Sequence, residues 1–239
     1  LYSIITKMSR AEAIVVPLDY KLRHDVDALI RAVREDTTVL YLCNPNNPTG
    51  TYIAPEDVDR VVAEVSSDVL IVVDEAYEEY VTAAGNRSAI PHALRHDNVI
   101  VMRTFSKIYG IAGLRVGYAV GRPETTMQLR RLQAPFAIPN VSLAGAREAL
   151  RHQDLVADRA KTNARGRDQL AAGCDQLGVD HIASETNFVL IDPPTNAGEL
   201  TESLLRRGVI VRQFGRYIRV TVGTEAENVR FLETLGELI

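Results

Sequence analysis

The sequence predicts an α/β fold: a mostly parallel sheet sandwiched by helices, followed by a smaller carboxyl-terminal α+β domain. Two observations lead to this prediction. The first half of the chain alternates short apolar, β-branched runs with amphipathic stretches, which is typical of strand–helix–strand units in a parallel sheet. After Gly121 the sequence changes to long helical stretches rich in Ala, Arg, Asp and Gln, followed by short strand-like runs. With 239 residues, 46% of them hydrophobic, the chain is long enough to bury a full core.

Five strands and two helices are predicted in the first half. The strands cover the apolar, β-branched runs 13–17, 38–42, 69–74, 99–104 and 116–120. One helix covers 25–33, with Asp25 as its cap, and another covers 55–65, with Pro55 at its first position. Residues 44–50 read Asn-Pro-Asn-Asn-Pro-Thr-Gly, which predicts a turn.

The second half predicts helices with three short strands. The helices cover 123–132, 141 to about 177, 196–207 and a last one that runs to Ile239, with a break at 134–140. Thr224-Glu-Ala-Glu227 is a capping-box sequence at the start of that last helix. The strands cover 187–192, 209–212 and 217–222. We predict a large domain over 1–125, connecting helices over 126–160 and a small domain over 161–239.

Composition disfavours several classes of protein. Lys and Arg total 27 against 31 Asp and Glu, and no long basic run occurs, so nucleic acid and anionic membranes are poor candidate partners. No apolar run reaches the length of a bilayer span, and no basic-then-apolar leader opens the sequence. Cys43 and Cys174 form no CxxC pair, and His92 and His96 lack the glutamate of a zinc helix. We expect a cytoplasmic globular protein without a metal.

Polar residues follow two of the predicted strands. Asp74 ends one strand and is followed by Tyr77, at the sheet edge where open α/β folds bind ligands. Thr104-Phe-Ser106-Lys107 follows another strand and brings two hydroxyls and an amine to the same edge. Taken singly, an aspartate there could equally cap the next helix, and a lone lysine is usually solvated.

A glycine-rich stretch comes next along the chain. Gly110, Gly113 and Gly117 do not fit the GxGxxG pattern of dinucleotide-binding proteins. They do let the backbone approach a ligand closely, with Arg115 available for a phosphate.

The order and spacing of these motifs resemble the fold-type I pyridoxal-phosphate enzymes, specifically the class I/II aminotransferases. The nearest likeness is to the histidinol-phosphate aminotransferase group. The resemblance runs from residues 10–18 to the closing helix and implies the fold of that family, with pyridoxal 5′-phosphate as cofactor.

The resemblance assigns a cofactor role to seven residues. Asp74 matches the carboxylate that keeps the pyridine nitrogen protonated, which the cofactor needs as an electron sink. Lys107 matches the lysine that forms a Schiff base with the cofactor and later carries a proton, for which its pKa must be lowered. The remaining roles are donors to the ring 3′ oxygen, matched by Asn47 and Tyr77, and the phosphate cradle, matched by Thr104, Ser106 and Arg115.

Three residues of the second half match the substrate side of the family's site. Arg219 matches the arginine that clamps the substrate carboxylate, for which a planar guanidinium is better suited than a lysine. Arg212 matches an arginine near the anionic end of the substrate in histidinol-phosphate enzymes. Asn187 stands at a strand start that lines the site in relatives, although an asparagine that forms a turn is the better explanation.

The resemblance implies amino-group transfer between histidinol phosphate, or a related amino acid, and a 2-oxo acid such as 2-oxoglutarate, by a homodimer. An aromatic-amino-acid aminotransferase and a phosphothreonine decarboxylase are alternatives within the same likeness. A third alternative is an inactive fragment that serves as a folded or assembly piece. A nucleotide-binding α/β protein is disfavoured because no P-loop or GxGxxG occurs.

Members of this family carry a further amino-terminal segment before the point that matches Leu1. The resemblance implies that this segment supplies a glycine-containing turn for the cofactor phosphate, the aromatic residue stacked on the ring and a tyrosine that reaches the partner subunit. We therefore expect part of the site to lie outside this sequence, and whether the chain alone is active stays open.

Overall fold

The computed structural model describes residues 2–239, and two four-stranded sheets organise this part of the chain. The first sheet has the order β1 (Val39–Cys43), β2 (Leu70–Asp74), β3 (Val99–Thr104), β4 (Gly117–Val120). Strands β1 to β3 are parallel, and β4 is antiparallel to β3. The predicted mostly parallel sheet is therefore confirmed.

The second sheet is antiparallel and its spatial order differs from its chain order. It contains β5 (Asp180–Ile182), β6 (Phe188–Asp192), β7 (Arg212–Phe214) and β8 (Tyr217–Thr221), arranged β5-β6-β8-β7. Helices surround both sheets. They are α1 (Tyr2–Met8), α2 (Val26–Arg31), α3 (Pro55–Glu64), α4 (Ile90–Arg95), α5 (Pro123–Leu132), α6 (Asn140–Ala149), α7 (Gln153–Gln176), α8 (Ala197–Arg206) and α9 (Glu225–Gly236).

Local sequence signals explain where several helices begin. Asp25 caps α2 by accepting from the Ala28 amide at 2.8 Å, and Asn196 caps α8 through the same kind of bond. Thr224 and Glu227 form the predicted capping box of α9. Proline stands in the first turn of α3 and of α5, where its missing amide costs no hydrogen bond. None of the helices in the described residues is long and apolar enough to cross a bilayer.

Some predicted elements are wrong or shifted. Residues 13–17 form no strand, and Val15 is exposed, because the segment has no neighbouring strand to pair with. The strand predicted over 209–212 begins only at Arg212, because the Val209 amide donates back to Leu204 at the end of α8. The long helix predicted from 141 is interrupted between α6 and α7. Helix α7 continues across residue 160, and the predicted domain boundaries stay a prediction.

Three clusters of buried side chains form the core. One lies between the first sheet and α2 to α4, and another lies between the second sheet and α7 to α9. The third lies where the two sheets meet and includes Tyr77, Phe105 and Phe188. Each fully buried large apolar side chain contributes about 1.5–3 kcal/mol relative to an exposed one. The third cluster is the one that holds the carboxyl ends of β2 and β3 against the second sheet.

A buried ion pair joins the carboxyl ends of β2 and β3. Arg103 donates to Glu75 at 2.8 Å and to Glu79 at 3.0 Å, and all three side chains are nearly buried. Glu75 also accepts from the Ala89 amide at 2.6 Å. Because Glu75 follows Asp74 and Arg103 precedes Thr104, this pair fixes the two strand ends that carry the predicted site residues.

We predict that Arg103→Met lowers the free energy of unfolding by about 3–5 kcal/mol, because it leaves two buried carboxylates without their cation. Urea unfolding followed by circular dichroism measures this change. Arg95→Met, on the exposed surface of α4, serves as the control and should change stability by less than about 0.5 kcal/mol. Equal stability of the two variants would contradict the structural role of the pair.

Candidate functional site

The predicted site residues gather at the carboxyl edge of the first sheet. Strand β1 leads into the turn 44–50, β2 ends at Asp74, and β3 leads into the segment that ends at Lys107. Parallel strands bring their carboxyl ends to one edge, and that is where open α/β sheets place their ligands. The second sheet faces this edge through β8.

The turn 44–50 is held rigidly and presents one side chain outward. Asn44 exchanges two hydrogen bonds with the Ile53 backbone, at 2.8 and 3.0 Å, and is buried. Gly50 has φ +78°, a backbone conformation that favours glycine. Asn47 is exposed at the tip, where its amide oxygen accepts from Arg219 at 2.5 Å. The turn therefore reaches across to the second sheet.

Asp74 is held by two donors from different elements. Its Oδ1 accepts from the Ala76 amide at 3.1 Å, and its Oδ2 accepts from the Tyr2 hydroxyl. The Tyr2 ring stacks on Tyr41 with centroids 4.8 Å apart. Burial, with the nearby Cys43 and Asp74 groups, raises the pKa of Tyr2, so its phenol stays protonated and donates. Nothing in the sequence around Tyr2 distinguishes it as a site residue.

Tyr77 lies between the two sheets. It is buried, and its ring meets Phe188 edge to face with centroids 5.3 Å apart. Burial raises the pKa of Tyr77 to about 12, so the phenol is a hydrogen-bond donor at neutral pH.

Lys107 is half-buried beside Tyr77, with its ammonium 5.1 Å from the ring centroid. Within residues 2–239 its Nζ makes no hydrogen bond and no ion pair. Burial lowers the pKa of Lys107, and the positive charges of Arg219 and Arg115 lower it further, while Asp74 acts in the opposite direction. The result is an amine that releases its proton more easily than an ordinary lysine.

The predicted phosphate residues stand around the same lysine. The Thr104 hydroxyl accepts from the Ser106 amide at 3.1 Å. Arg115 has φ +49° and donates to the Ala112 carbonyl at 2.8 Å, which leaves most of its guanidinium exposed to solvent. These groups supply hydroxyls and a cation on one side of Lys107.

Arg219 extends from β8 toward the first sheet and rests on two aromatic rings. Its guanidinium lies 4.7 Å from the Phe188 centroid and 5.2 Å from the Phe214 centroid. Its Nε is buried and has no partner in the described part of the chain. Burial lowers the pKa of Arg219, and the charge of Arg212 adds to this effect. A buried, unpartnered donor on a guanidinium is suited to receive an anion.

Arg212 and Asn187 are placed near Arg219 by the second sheet. Arg212 pairs directly with Arg219 across β7 and β8, is exposed and lies 5.5 Å from the Phe214 centroid. Asn187 precedes β6 and is half-buried, and its backbone oxygen accepts from the Val222 amide at 2.9 Å.

Contacts and charge interactions thus link one set of predicted residues into a single cleft: Asn47, Asp74, Tyr77, Lys107, Arg115 and Arg219. The roles assigned to them stay predictions. Sequence reasoning missed Tyr2, Phe188 and Phe214. The two phenylalanines could be found only after the pairing of β6, β7 and β8 was known, because their contact with Arg219 crosses strands.

The cleft fits an aromatic aldehyde that carries a phosphate. Within residues 2–239 it offers a carboxylate at Asp74, a phenol at Tyr77, an amine without a hydrogen-bond partner at Lys107 and an exposed guanidinium at Arg115. Among the described residues, no three His, Cys, Asp or Glu side chains are grouped as metal ligands.

Comparison with known proteins gives a consistent result. Residues 1–235 match the family model of the class I and II aminotransferases. Histidinol-phosphate aminotransferase 2 of Nitrosospira multiformis is 41% identical over 241 residues, covering 99% of this chain and 61% of that protein. Histidinol-phosphate aminotransferase 1 of Nitrosococcus oceani is 40% identical over 244 residues, covering all of this chain and 66% of that protein. The chain therefore spans less than two thirds of the length of these relatives.

A solved structure shows the same architecture. Histidinol-phosphate aminotransferase from Sinorhizobium meliloti, in complex with pyridoxal 5′-phosphate, superposes with a TM-score of 0.91 at 28% sequence identity. The superposition covers all of this chain and 68% of that chain.

We predict that Arg219→Gln raises the pKa of Lys107. The wild-type pKa is lowered first by burial and then by the Arg219 charge, so removing that charge should favour the protonated amine. Competitive acetylation between pH 7 and 11, read by mass spectrometry on the peptide that contains Lys107, measures the change. The control is Arg206→Gln, which changes an exposed residue of α8 and should leave the Lys107 titration unchanged. An unchanged Lys107 titration in Arg219→Gln would show that the Arg219 charge does not act on Lys107.

Proposed function

This chain belongs to the class I and II aminotransferase family and has the fold-type I architecture of pyridoxal-phosphate enzymes, and we propose that the protein is a histidinol-phosphate aminotransferase. It would move an amino group between histidinol phosphate and a 2-oxo acid such as 2-oxoglutarate. The single observation that carries the proposal is the half-buried Lys107 amine beside Tyr77, which has no hydrogen-bond partner within residues 2–239 and on which the charges of Asp74, Arg115 and Arg219 all act. The similarity to histidinol-phosphate aminotransferases supports the choice of substrate.

Pyridoxal 5′-phosphate, when bound, supplies an electron sink for the bond broken at the substrate α-carbon. The residues that would hold it surround Lys107. Asp74 would keep the proton on the ring nitrogen, and its orientation is secured by the Ala76 amide. Tyr77 would donate to the 3′ oxygen, because its phenol keeps its proton at neutral pH.

Asn47 would share the 3′ oxygen with Tyr77 through its amide nitrogen, since its amide oxygen already accepts from Arg219. Thr104, Ser106 and Arg115 would hold the phosphate with two hydroxyls, a backbone amide and a guanidinium. These two groups of residues orient the cofactor from opposite ends.

Lys107 would hold the cofactor aldehyde and, once the substrate amine has replaced it, move the proton at the α-carbon. Both tasks need a neutral amine in part of the population, and the lowered pKa of Lys107 provides it. Its position over the Tyr77 ring keeps the amine inside the cleft.

Arg219 and Arg212 would bind the anionic end of the substrate. A phosphate monoester carries about 1.5 to 2 negative charges at pH 7, which two guanidinium groups match better than one. The two arginines are direct neighbours across β7 and β8 and share the Phe214 ring. We propose that Arg219 contacts the α-carboxylate of glutamate or the phosphate of histidinol phosphate, that Arg212 assists with the phosphate, and that Asn187 lines the same pocket.

We also propose that the protein works as a homodimer in the cytoplasm. The likeness to the family supports the dimer, and two buried free cysteines, Cys43 and Cys174, suit a reducing compartment.

We predict that Lys107→Ala abolishes transamination and covalent retention of the cofactor while leaving the far-UV circular dichroism intact. Borohydride reduction of the wild-type protein with pyridoxal 5′-phosphate should bleach the visible band and add the cofactor mass to the Lys107 peptide. Lys161→Ala, which removes an exposed lysine of α7, is the matched control. Full turnover in Lys107→Ala would overturn the proposed function. A wild-type protein that never takes up cofactor would favour the inactive fragment.

We predict that Arg212→Gln raises KM for histidinol phosphate about tenfold, since a hydrogen bond to a charged group contributes about 1.5–3 kcal/mol. KM for phenylalanine, which carries no phosphate, should change less than about twofold, whereas Arg219→Gln should raise KM for both donors. Steady-state kinetics with 2-oxoglutarate as the amino acceptor measures KM for both donors. If Arg212→Gln affected the two donors equally, or wild-type protein preferred phenylalanine, an aromatic-amino-acid aminotransferase would be the better assignment.

A further inference from the structure

We propose that Arg167 is a positioning residue: by joining the two sheets beside the cleft, it sets where Arg219 stands relative to Lys107. We call Arg167, Thr82 and Glu185 the clasp. Its significance for catalysis rests on the proposed function, whereas its geometry rests on the contacts described next.

Arg167 contacts both sides of the junction with one guanidinium. It extends from α7 and is 7% exposed. On the side of the first sheet it donates to the Tyr80 carbonyl at 3.3 Å and to the Thr82 hydroxyl at 2.7 Å. On the other side it donates to the Thr186 carbonyl at 3.3 Å and to Glu185 Oε2 at 3.4 Å. A planar group with five donors can hold four such acceptors at fixed angles.

Glu185 completes the clasp and connects it to the turn 44–50. Its Oε2 accepts from the Thr82 amide at 2.6 Å and from the Thr82 hydroxyl at 3.0 Å. Its own amide donates to the Gly50 carbonyl at 2.8 Å. Any side chain at Gly50 would collide with the Ser184 side chain, so the two segments are in close contact. The segment before β6 is therefore fastened to two loops of the first sheet.

These fastened segments lead directly to the side chains that support Arg219. Thr82 and Tyr80 follow Tyr77 in one loop, and Thr186 is two residues before Phe188. The Tyr77 and Phe188 rings meet edge to face, and Arg219 lies on Phe188. A small shift between the two segments would therefore move Arg219 relative to Lys107.

The chemistry of the clasp favours positioning over simple stabilisation. Burying an arginine against a single carboxylate, 3.4 Å away, adds little net stability, and an apolar side chain of similar volume could fill the space. What the guanidinium adds is direction, because its four bonds define a single relative placement of the two segments.

The first test measures the pKa of Lys107 in the protein freed of cofactor, by competitive acetylation and mass spectrometry. Arg167→Lys should raise this pKa, because a compact ammonium cannot reach four acceptors and Arg219 would move away. Thr82→Val should also raise it, and Thr82→Ser, which keeps the hydroxyl, should restore the wild-type value. Combining Arg167→Lys with Arg219→Gln should add nothing to Arg219→Gln alone. Glu202→Gln and Arg206→Lys, an exposed pair on α8, are the controls.

The second test is kinetic and uses the protein loaded with pyridoxal 5′-phosphate. Arg167→Lys and Thr82→Val should raise KM for histidinol phosphate on the order of tenfold, since misplacing a binding group weakens substrate contact. Their cofactor affinity, read from the visible band, should change less than about threefold, because Asp74 and the residues proposed to hold the phosphate stay in place.

The two tests separate the clasp from the proposed function. An unchanged Lys107 pKa in a folded Thr82→Val or Arg167→Lys protein would overturn the positioning role, whatever the activity. Cofactor loss in step with the rise in KM would overturn it too, because the clasp would then hold the cofactor residues instead. A raised Lys107 pKa in a protein that transaminates no donor would support the clasp and refute the aminotransferase. Thr82→Val keeps the side-chain volume and serves where Arg167→Lys fails to fold.

Discussion

The parallel register of β1, β2 and β3 is the constraint on which the candidate site depends. Cys43 pairs with Asp74, and Asp74 pairs with Met102, so the strands end at nearly the same level of the sheet. Side chains alternate between the two faces of a strand, so a slip of one residue would turn Asp74 toward the opposite face. The apolar side chains of β2, buried against the helices, hold this register. The site is therefore a consequence of the core beneath it.

Charge is distributed in this molecule according to where water is excluded. Arg103 neutralises Glu75 and Glu79 at the ends of β2 and β3, where all three are nearly buried. In the cleft the balance is positive, because Arg115 and Arg219 both act on Lys107. Positive charges beside a lysine lower the basicity of its amine and attract anions by the same physical effect. The first arrangement supports the fold, and the second sets the charge of the cleft.

The junction between the sheets is polar on one side and aromatic on the other. The Arg219 guanidinium lies over the Phe188 and Phe214 rings, and the Asn47 amide oxygen accepts one of its hydrogen bonds. The clasp lies behind this contact, with Arg167 bonded to loops from both sheets. Aromatic contacts alone tolerate sliding, whereas hydrogen bonds to a planar group do not. Their combination gives Arg219 a defined distance from Lys107.

The sequence by itself determined most of the elements and the family of this protein. Apolar runs predicted β1 to β4 within a residue or two, the caps predicted α2 and α9, and the motif order predicted the family and its cofactor. These features are local, because each depends on neighbours within a few residues along the chain. The strand over 13–17 failed for the opposite reason, since a strand exists only where another strand pairs with it.

Only the tertiary structure decided which distant side chains meet. Tyr2 and Asp74 are 72 residues apart, Arg167 and Tyr80 are 87 apart, and Asn47 and Arg219 are 172 apart. No local pattern encodes such pairs, because they arise when elements that form separately along the chain pack against each other. That packing depends on the total apolar area that many side chains bury together. A sequence pattern of a few residues does not give this total.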